Sequence, residues 1–516
     1  MKTTNILWAF VLVTLATACT NEEVAQKDNS KEPTITQKTA FVGGTLDTKA
    51  TRTSLDMVYP GGTQVNYFWE QGDKIWTATG DNGVAQITGK AATATFYLSN
   101  VYTTPTVTLY YPGKNATVYN QVTIADEQIQ TVPNNTQHLG ETGDCGTATA
   151  YQQSDKSYHF NLDHKAAYLC FLPHTTNTIL AKCKLKRIEV TADKDIAGNY
   201  ILSATSDLSA NGSGSKIITL QTGGENGFAL TNTTTSQATN AAYMVIAPGT
   251  YNLTVKYYLV DPAIGQEGTV TKNISATFLA NTVTPIESNL TATSYDGRYN
   301  IYMWDAKDTY WHGYESEWPV AASGPIPPTA HIPQNASDSR WYHVITIPYG
   351  QHPQASQSCA ICPNGNEVSW YARDGDPHWD IEIWTVRGHA YAGGMWFKKR
   401  GKIPNFNSNV ASTGYDRRKD DYSVGSIGDV FNMSPPKGRP SPLSDYFFLP
   451  ALGQCRTEFS NYTNGMGTTY WTSTPCYDGR SSYSQAWYLS FSNRGVVSSW
   501  RSLTNGYVVW PASEFK

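Results

Sequence analysis

The sequence has no excess of basic residues and no long internal apolar run, and each shortage excludes a class of protein. Its 38 lysines and arginines are outnumbered by 42 acidic residues, which leaves a net charge of −4. Phosphate backbones attract basic surfaces, so this balance argues against nucleic acid as a partner. Beyond the N-terminus no run is long enough for a transmembrane helix. Aromatic residues are abundant, at 12%, which excludes disorder for most of the chain. The 33 tyrosines and 41 glycines favour sheets and loops.

Cysteine is scarce, and its number does not suit a disulfide framework. Of the eight cysteines, seven follow Cys19, so at least one thiol is left over even if all the others pair. A bridge between Cys455 and Cys476 is one possibility. Cys359 and Cys362 fit a bridge, a redox pair or half of a zinc site. No second cysteine pair or close pair of histidines completes such a site, so no metal is expected there.

The N-terminus has the features of a targeting segment. Lys2 is followed by the apolar run 6–13, and small residues come directly before Cys19. This pattern is typical of a bacterial lipoprotein, with a signal peptide over 1–18, lipid on Cys19 and a flexible tether over 19–40. A plain signal peptide with an incidental cysteine is the alternative. The first interpretation predicts a surface-exposed protein held at the cell outer membrane through that lipid.

Residues 41–294 show the period-two alternation of β-strands and little helical periodicity. The clearest strand runs over 251–259, where apolar and polar residues alternate, and shorter runs cover 106–111 and 168–172. Many short strands separated by Thr, Ser and Asn predict two β-sandwiches in tandem. We place the first over 41–163 and the second over 164–294.

A different module begins near residue 295, because twelve of the fifteen tryptophans lie beyond it. Asn364 and Glu367 have the spacing of a capping box, which predicts a helix that Asp374-Gly375 ends. Gly393 and Gly394 suggest a turn into a strand. Two strands joined near Asn493, and then an Asn505-Gly506 hairpin, predict a meander that closes the chain.

Three segments of the first 294 residues resemble the Bacteroidetes fimbrillin-like proteins: 50–55, 68–75 and 161–169. The resemblance implies a type V pilus lipoprotein precursor that is cut after an arginine. Arg52 is the matching residue, and Thr53 would become the new N-terminus. Release of the leading strand would open an apolar groove that a neighbouring subunit fills by donor-strand exchange. The alternative is that Arg52 is an ordinary exposed loop residue.

Residues 445–451, 469–474 and 505–511 resemble the Fibrobacter-type major paralogous domain, which is related to C-type lectin-like folds. Val509-Trp510-Pro511 departs from the more usual Val-Arg-Pro ending, so a salt bridge from that arginine is not expected. The resemblance implies an α+β C-terminal lectin-like domain over 297–516, behind two fimbrillin-like sandwiches in a mainly β chain.

The C-terminal module carries the residue types that antibody paratopes use: tyrosine and tryptophan for contact area, and short polar side chains for adaptable hydrogen bonds. Strand-like positions predict that Trp471, Trp487 and Trp510 are core. The predicted ligand-binding residues, for a glycan or a protein, are Tyr477, Asp478, Arg480, Tyr483, Asn493, Trp500 and Arg501.

No catalytic or cofactor motif is present, so the protein is not expected to be an enzyme and no cofactor is expected. A calcium site is the alternative, because Asp374, Asp376 and Asp380 place three carboxylates close together in sequence, although without EF-hand spacing. The family that the C-terminal module resembles is also related to formylglycine-generating enzymes in fold, but a shared fold does not imply their enzymatic activity.

These observations leave two functions open. One is a fimbrial tip or accessory pilin whose C-terminal module is the adhesin and whose partners are other fimbrial subunits. The expectation of a tip position comes from a C-terminus that ends in a folded module, five residues past Pro511, with no strand to donate. The other is a monomeric lipid-anchored adhesin or glycan-binding lipoprotein that never polymerises. The sequence leaves undecided the ligand, the position in a fimbria, cleavage at Arg52, the disulfide pairing and any diversification of the binding loops.

Overall fold

The structure is a computed structural model in which most of the chain after residue 37 is described. The described residues are 38–44, 54–57, 59, 65–230, 233–298, 300–317, 331–344, 353–419, 430–455, 465–476 and 484–515. Within these ranges the chain is mainly β, as predicted, with 33 strands and three α-helices. No helix among the described residues is long and apolar enough to cross a membrane.

Short strands with alternating burial form the N-terminal part of the chain. The predicted strand over 106–111 is confirmed, and its buried side chains are Val107, Leu109 and Tyr111. The elements are β1 (Thr39–Gly43), β2 (Ser54–Met57), β3 (Val65–Glu70), β4 (Lys74–Trp76), β5 (Asn82–Val84), β6 (Lys90–Ala91), β7 (Ala94–Leu98), β8 (Thr106–Tyr111), β9 (Gln121–Ile124), β10 (Glu127–Gln130), α1 (Leu139–Thr142), β11 (Gly146–Gln152), β12 (Tyr158–Phe160) and β13 (Asp163–His164).

A second set of strands follows and surrounds its own core. The strand predicted over 251–259 is confirmed, and residues 168–172 lie in a strand with both faces buried. The elements are β14 (Ala167–His174), β15 (Lys184–Ala192), β16 (Gly198–Ile201), β17 (Ser209–Ala210), β18 (Ile217–Thr222), β19 (Phe228–Ala229), α2 (Gln237–Asn240), β20 (Ala242–Ile246), β21 (Gly249–Val260), β22 (Glu267–Phe278), β23 (Val283–Asn289) and β24 (Thr293–Ser294).

The C-terminal part contains the longest α-helix of the described residues, and the predicted capping box is confirmed. The Asn364 side chain accepts from the backbone N–H of Asn366 and Glu367, and Glu367 accepts from the Asn364 N–H. The elements are β25 (Ile301–Tyr302), α3 (Gly365–Asp374), β26 (His378–Val386), β27 (His389–Lys398), β28 (Val430–Met433), β29 (Tyr446–Pro450), β30 (Gly467–Cys476), β31 (Gln485–Ser492), β32 (Gly495–Ser502) and β33 (Tyr507–Val508).

Seven 3₁₀ turns complete the described secondary structure. They are Leu180–Lys182, Asp296–Arg298, Glu315–Glu317, Ser358–Ile361, Arg400–Lys402, Leu443–Asp445 and Ala512–Glu514.

Strand pairing joins the three predicted domains. One sheet has the order β5-β4-β8-β11-β12-β1-β7, and a second runs β10-β18-β15-β21-β22-β26-β27-β29. The second sheet therefore takes strands from before residue 163, from the 164–294 region and from the C-terminal module. Three hydrophobic clusters nevertheless lie mainly in these three regions. The domain boundaries stay predictions, and the pairing crosses both of them.

Two local predictions in the C-terminal module are wrong. Gly393 and Gly394 lie inside β27 rather than in a turn. A Cβ on Gly394 would come within 2.2 Å of the Phe448 ring, so glycine there permits close packing of β29. Asn505-Gly506 does not form a hairpin with β32. Instead β33 pairs with β25 and, in parallel, with β30.

The possible disulfide bridges are not formed. Cys359, Cys362 and Cys455 are buried free thiols. Cys455 packs in the large C-terminal core and exchanges two backbone hydrogen bonds of 2.8 Å with Gly506, whereas Cys476 packs beside Trp487 in a separate small cluster. The two cysteines therefore belong to different parts of the core.

Candidate functional site

Strand β1 lies in the interior of the first sheet although it is the first described strand of the chain. It pairs in parallel with β12, where Phe41 faces Tyr158, and antiparallel with β7, where Phe41 faces Phe96. Its burial alternates, with Thr39, Phe41 and Gly43 inward. A strand in this position satisfies the backbone donors and acceptors of two neighbours at once.

Aromatic rings form the apolar surface against which β1 packs. Phe41 is fully buried and stacks on Tyr158 with ring centroids 4.8 Å apart, while Tyr102 meets it edge-on at 5.5 Å. The Trp69 indole N–H donates to the carbonyl of Gly43 at 3.1 Å. Burying a phenylalanine side chain contributes about 2–3 kcal/mol, so removal of β1 would expose a strongly apolar slot.

The predicted cleavage point lies between two described strands. Arg52 and Thr53 are outside the described residues, as is Cys19. The described residues on either side are Gly44 and Ser54, which directly follow β1 and begin β2. A cut after Arg52 would therefore separate β1 from the rest of the chain in covalent terms while leaving β2 attached.

The predicted ligand-binding residues that the structure describes fall at two ends of one hairpin. Asn493 is exposed at the turn between β31 and β32. Half-buried Trp500 and exposed Arg501 are at the far end of β32, about 25 Å away at the usual rise of a strand. The structure does not bring Asn493 together with the other two. Being consecutive on a strand, Trp500 and Arg501 also point to opposite faces.

Trp500 and Arg501 lie on β32 next to the strand ends that flank residues 477–483 in sequence. Cys476 pairs with Gln485, and Gln485 pairs in turn with Ser502. The segment 477–483 is inserted between the first two. Tyr477, Asp478, Arg480 and Tyr483 lie within that segment and are outside the described residues.

An open cleft of about 380 Å³ lies at the Asn493 end of the hairpin. It was not predicted. Three of its apolar side chains are well exposed: Phe431 at 59%, Met433 at 68% and Met466 at 61%. Arg494 is also part of its lining. Phe431 and Met433 lie on the edge strand β28, and Met466 directly precedes β30. In the sequence they are only large apolar residues, and the sheet order is needed to recognise the cleft.

The tryptophans predicted to be core are buried. Trp471, Trp487 and Trp510 are 0%, 2% and 3% exposed. The Arg417 guanidinium lies 3.8 Å from the centre of the Trp487 ring and donates to the Ser498 hydroxyl at 2.7 Å. This buried cation–π contact supports the inner face of β32, and sequence spacing gave no sign of it.

The carboxylates considered for calcium are bound to protein groups. Asp376 accepts from the Tyr446 hydroxyl at 2.6 Å and pairs with Lys398 at 3.1 Å. Burial alone would raise the pKa of Asp376, but these two partners hold it below its usual range. Asp380 accepts from the Trp396 indole at 3.1 Å. Among the described residues no group of three His, Cys, Asp or Glu is arranged to hold a metal ion.

Comparisons with known proteins give matches only among solved structures. No protein-family model and no curated protein matches the chain. A Bacteroides uniformis protein described as a cell adhesion protein is 14% identical, with a TM-score of 0.30 over 49% of this chain and 93% of its own. A fimbrial assembly protein from Parabacteroides distasonis is 9% identical, with a TM-score of 0.23 over 49% of this chain and 90% of its own.

A third similar structure spans most of the chain. A fimbrial protein from Bacteroides ovatus is 11% identical, with a TM-score of 0.23 over 91% of this chain and 98% of its own. The named neighbours are thus cell adhesion and fimbrial proteins. Their identities below 25% and TM-scores below 0.5 do not transfer a role to this chain.

Proposed function

We propose that the protein is a surface fimbrial subunit that assembles by exchanging strand β1, and that its C-terminal module is an adhesin. The observation that carries the proposal is the place of β1: it precedes Arg52 in sequence and yet occupies an interior position of the first sheet. A cut after Arg52 makes its departure possible. Departure of β1 leaves β7 and β12 with unpaired edges and exposes the aromatic rings that packed against Phe41. An extended strand from a neighbouring subunit then occupies this position.

The lipoprotein features belong to the same proposal. Lipid on Cys19 holds the precursor at the outer membrane until the segment that carries Cys19 and β1 is released. The subunit then leaves the membrane as it joins the fimbria. We propose no enzymatic role.

Limited proteolysis with an arginine-specific protease tests strand exchange. We expect the cut chain, with Thr53 at its N-terminus, to bind a fluorescent peptide of residues 38–44, and the uncut chain not to bind it. The same peptide with Phe41→Ala should bind at least 100-fold more weakly, because loss of a buried phenylalanine costs about 3–5 kcal/mol. The matched control is the Arg52→Gln chain treated with the same protease.

Two results would contradict strand exchange. One is a cut chain that takes up neither peptide. The other is equal binding of the two peptides, which would mean that the phenylalanine side chain of the peptide does not enter the aromatic site that buries Phe41. A chain that remains lipidated and uncut on cells would favour the second candidate function, a monomeric lipid-anchored adhesin.

For the adhesin, we propose that ligand contacts lie at one end of the β31–β32 hairpin. Glycan and host-protein arrays probed with the full chain identify a ligand. Binding of that ligand to the Arg501→Ala and Asn493→Ala variants then shows which end of the hairpin contacts it. If the 477–483 end binds, Arg501→Ala weakens binding by roughly tenfold and Asn493→Ala leaves it unchanged. The opposite pattern assigns binding to the cleft at the Asn493 end. Unchanged binding in both variants would contradict the proposed location.

A further inference from the structure

We propose that a polar pocket between strand β3 and helix α1 binds a primary ammonium group carried on an alkyl stem. The pocket has a volume of about 280 Å³ and is lined by residues that include Glu70, Lys114, His138 and Glu141. It is separate from both ends of the β31–β32 hairpin. The proposal does not depend on fimbrial assembly or on adhesion.

The first observation is a buried carboxylate with spare hydrogen-bonding capacity. Glu70 is 6% exposed, and its Oε1 is buried and accepts no hydrogen bond from the described residues. Its Oε2 receives a long contact of 3.4 Å from the Gln137 amide. A buried carboxylate costs free energy unless it is paired, so a cation that donates to Glu70 offsets that cost. Gln137 is exposed and can move aside for a stronger, charged donor.

The second observation is a histidine whose free nitrogen can only accept. Nε2 of His138 lies 2.9 Å from the Tyr243 carbonyl oxygen. A carbonyl oxygen cannot donate, so Nε2 carries the proton and Nδ1 holds a lone pair. Nδ1 is buried and has no hydrogen-bond partner among the described residues. Burial lowers the pKa of His138 to about 4, so the imidazole is neutral at pH 7 and remains an acceptor.

The balance of charge selects a monovalent cation. Glu70 and Glu141 bring two negative charges, and Lys114 brings one positive charge through its 3.1 Å ion pair with Glu141. With His138 neutral, one negative charge is left among the lining residues; the buried Asp73 carboxylate, which accepts from the Glu70 N–H at 2.7 Å, lies outside the lining. A divalent metal is a poor fit, because no three metal-ligating side chains converge among the described residues. A primary ammonium carries one charge and three N–H donors, which suits two acceptors.

The size and rim of the pocket suit an alkyl stem. Ile129 lies in the lining and is 59% exposed, so it offers an apolar surface toward the mouth. The volume is below the roughly 300–1,000 Å³ of sites for drug-sized ligands, which favours a single short chain. The ligand class is therefore an alkylammonium group, as found in free aliphatic amines and in lysine side chains.

A titration of the full chain with n-butylammonium at pH 7 tests the proposal. Binding is monitored through the NMR shifts of the His138 ring. We expect saturable binding of n-butylammonium and none of tetramethylammonium, which has the same charge but no N–H donor. Glu70→Gln should weaken binding by roughly tenfold, because a charged hydrogen bond is lost. Glu127→Gln, an exposed residue of β10 outside the pocket lining, is the matched control and should leave binding unchanged.

A second variant keeps the test decisive if Glu70→Gln does not fold. Gln137→Ala removes the amide that competes for the carboxylate, so it should tighten n-butylammonium binding. Comparing n-butylammonium with Nα-acetyl-lysine methylamide separates the two sources: tighter binding of the lysine derivative indicates a protein side chain, and equal binding indicates a free amine. Equal binding of tetramethylammonium, or no binding of either amine, would overturn the proposal.

Discussion

His138 illustrates how one side chain couples parts of the chain that are far apart in sequence. It precedes helix α1, and its ring donates to the carbonyl of Tyr243 on β20. The sequence does not mark it as functional, because a lone histidine beside a short helix belongs to no motif. The partner of its ring, Tyr243, lies 105 positions away in sequence, and only folding brings the two together.

Stability should depend on pH through His138. Burial lowers the pKa of its imidazole from 6.5 to about 4. Below pH 6.5 the unfolded chain binds a proton that the folded chain does not. The stability that this residue contributes is therefore complete above pH 6.5 and is lost as the pH falls towards 4, by at most about 3 kcal/mol.

Denaturant unfolding at pH 7 and pH 4.5 measures this effect. The native chain should lose more unfolding free energy over this interval than His138→Gln, which has no titrating ring. If the two proteins lose stability in parallel, the folded histidine titrates at its ordinary pKa.

At the scale of elements, local patterns predicted individual strands and helix ends but not their neighbours. The alternation in β8 and β21 and the capping box of α3 are set by residues within a few positions, and these predictions are confirmed. Asn505-Gly506 has the local signal of a hairpin. The signal failed because β33 finds its partners in β25 and β30, which lie far away in sequence.

Strand β1 should tolerate no side chain at Gly43. A Cβ there would lie 2.7 Å from the Trp69 ring and 2.8 Å from the Phe160 ring, closer than atoms approach in packed proteins. We expect Gly43→Ala to lower the unfolding free energy by about 1–3 kcal/mol through overpacking.

The control for this prediction is Gly401→Ala, where an added Cβ has no neighbour within 4 Å. Its effect should stay within about 0.5 kcal/mol. Denaturant midpoints of the uncut chains provide the measurement, and coincident midpoints for Gly43→Ala and the native chain would mean that β1 is not held as closely as the structure indicates.

At the scale of the whole molecule, the C-terminal module is attached to the preceding strands by sheet pairing and by a buried carboxylate. β22 pairs with β26 where Thr269 faces Glu382. Asp261 is 5% exposed and accepts from the Ala390 N–H at 3.1 Å and from the His389 ring at 3.2 Å. Residues Lys38–Lys516 form one compact unit accordingly.

Asp261→Asn should weaken this attachment. The amide keeps the shape of the side chain but loses the charge that both donors share, at a cost of about 1–3 kcal/mol. We expect calorimetry to show the C-terminal module unfolding at a lower temperature than the rest of the chain. Asp193→Asn, which alters an exposed carboxylate bound to Asn252, should leave the thermogram unchanged. A thermogram of Asp261→Asn identical to that of the native chain would show that sheet pairing alone holds the module.

The sequence by itself determined the mainly β composition, the alternating strands, the capped helix and the burial of three tryptophans, because each depends on residues close together in the chain. It also marked the resemblance from which the role of Arg52 is proposed. Only the tertiary structure decided that β1 lies between β7 and β12, that one sheet crosses all three regions, and that Glu70 and His138 share a pocket. Strand pairing and burial join residues far apart in sequence, and a single chain carries no local signal of such partners.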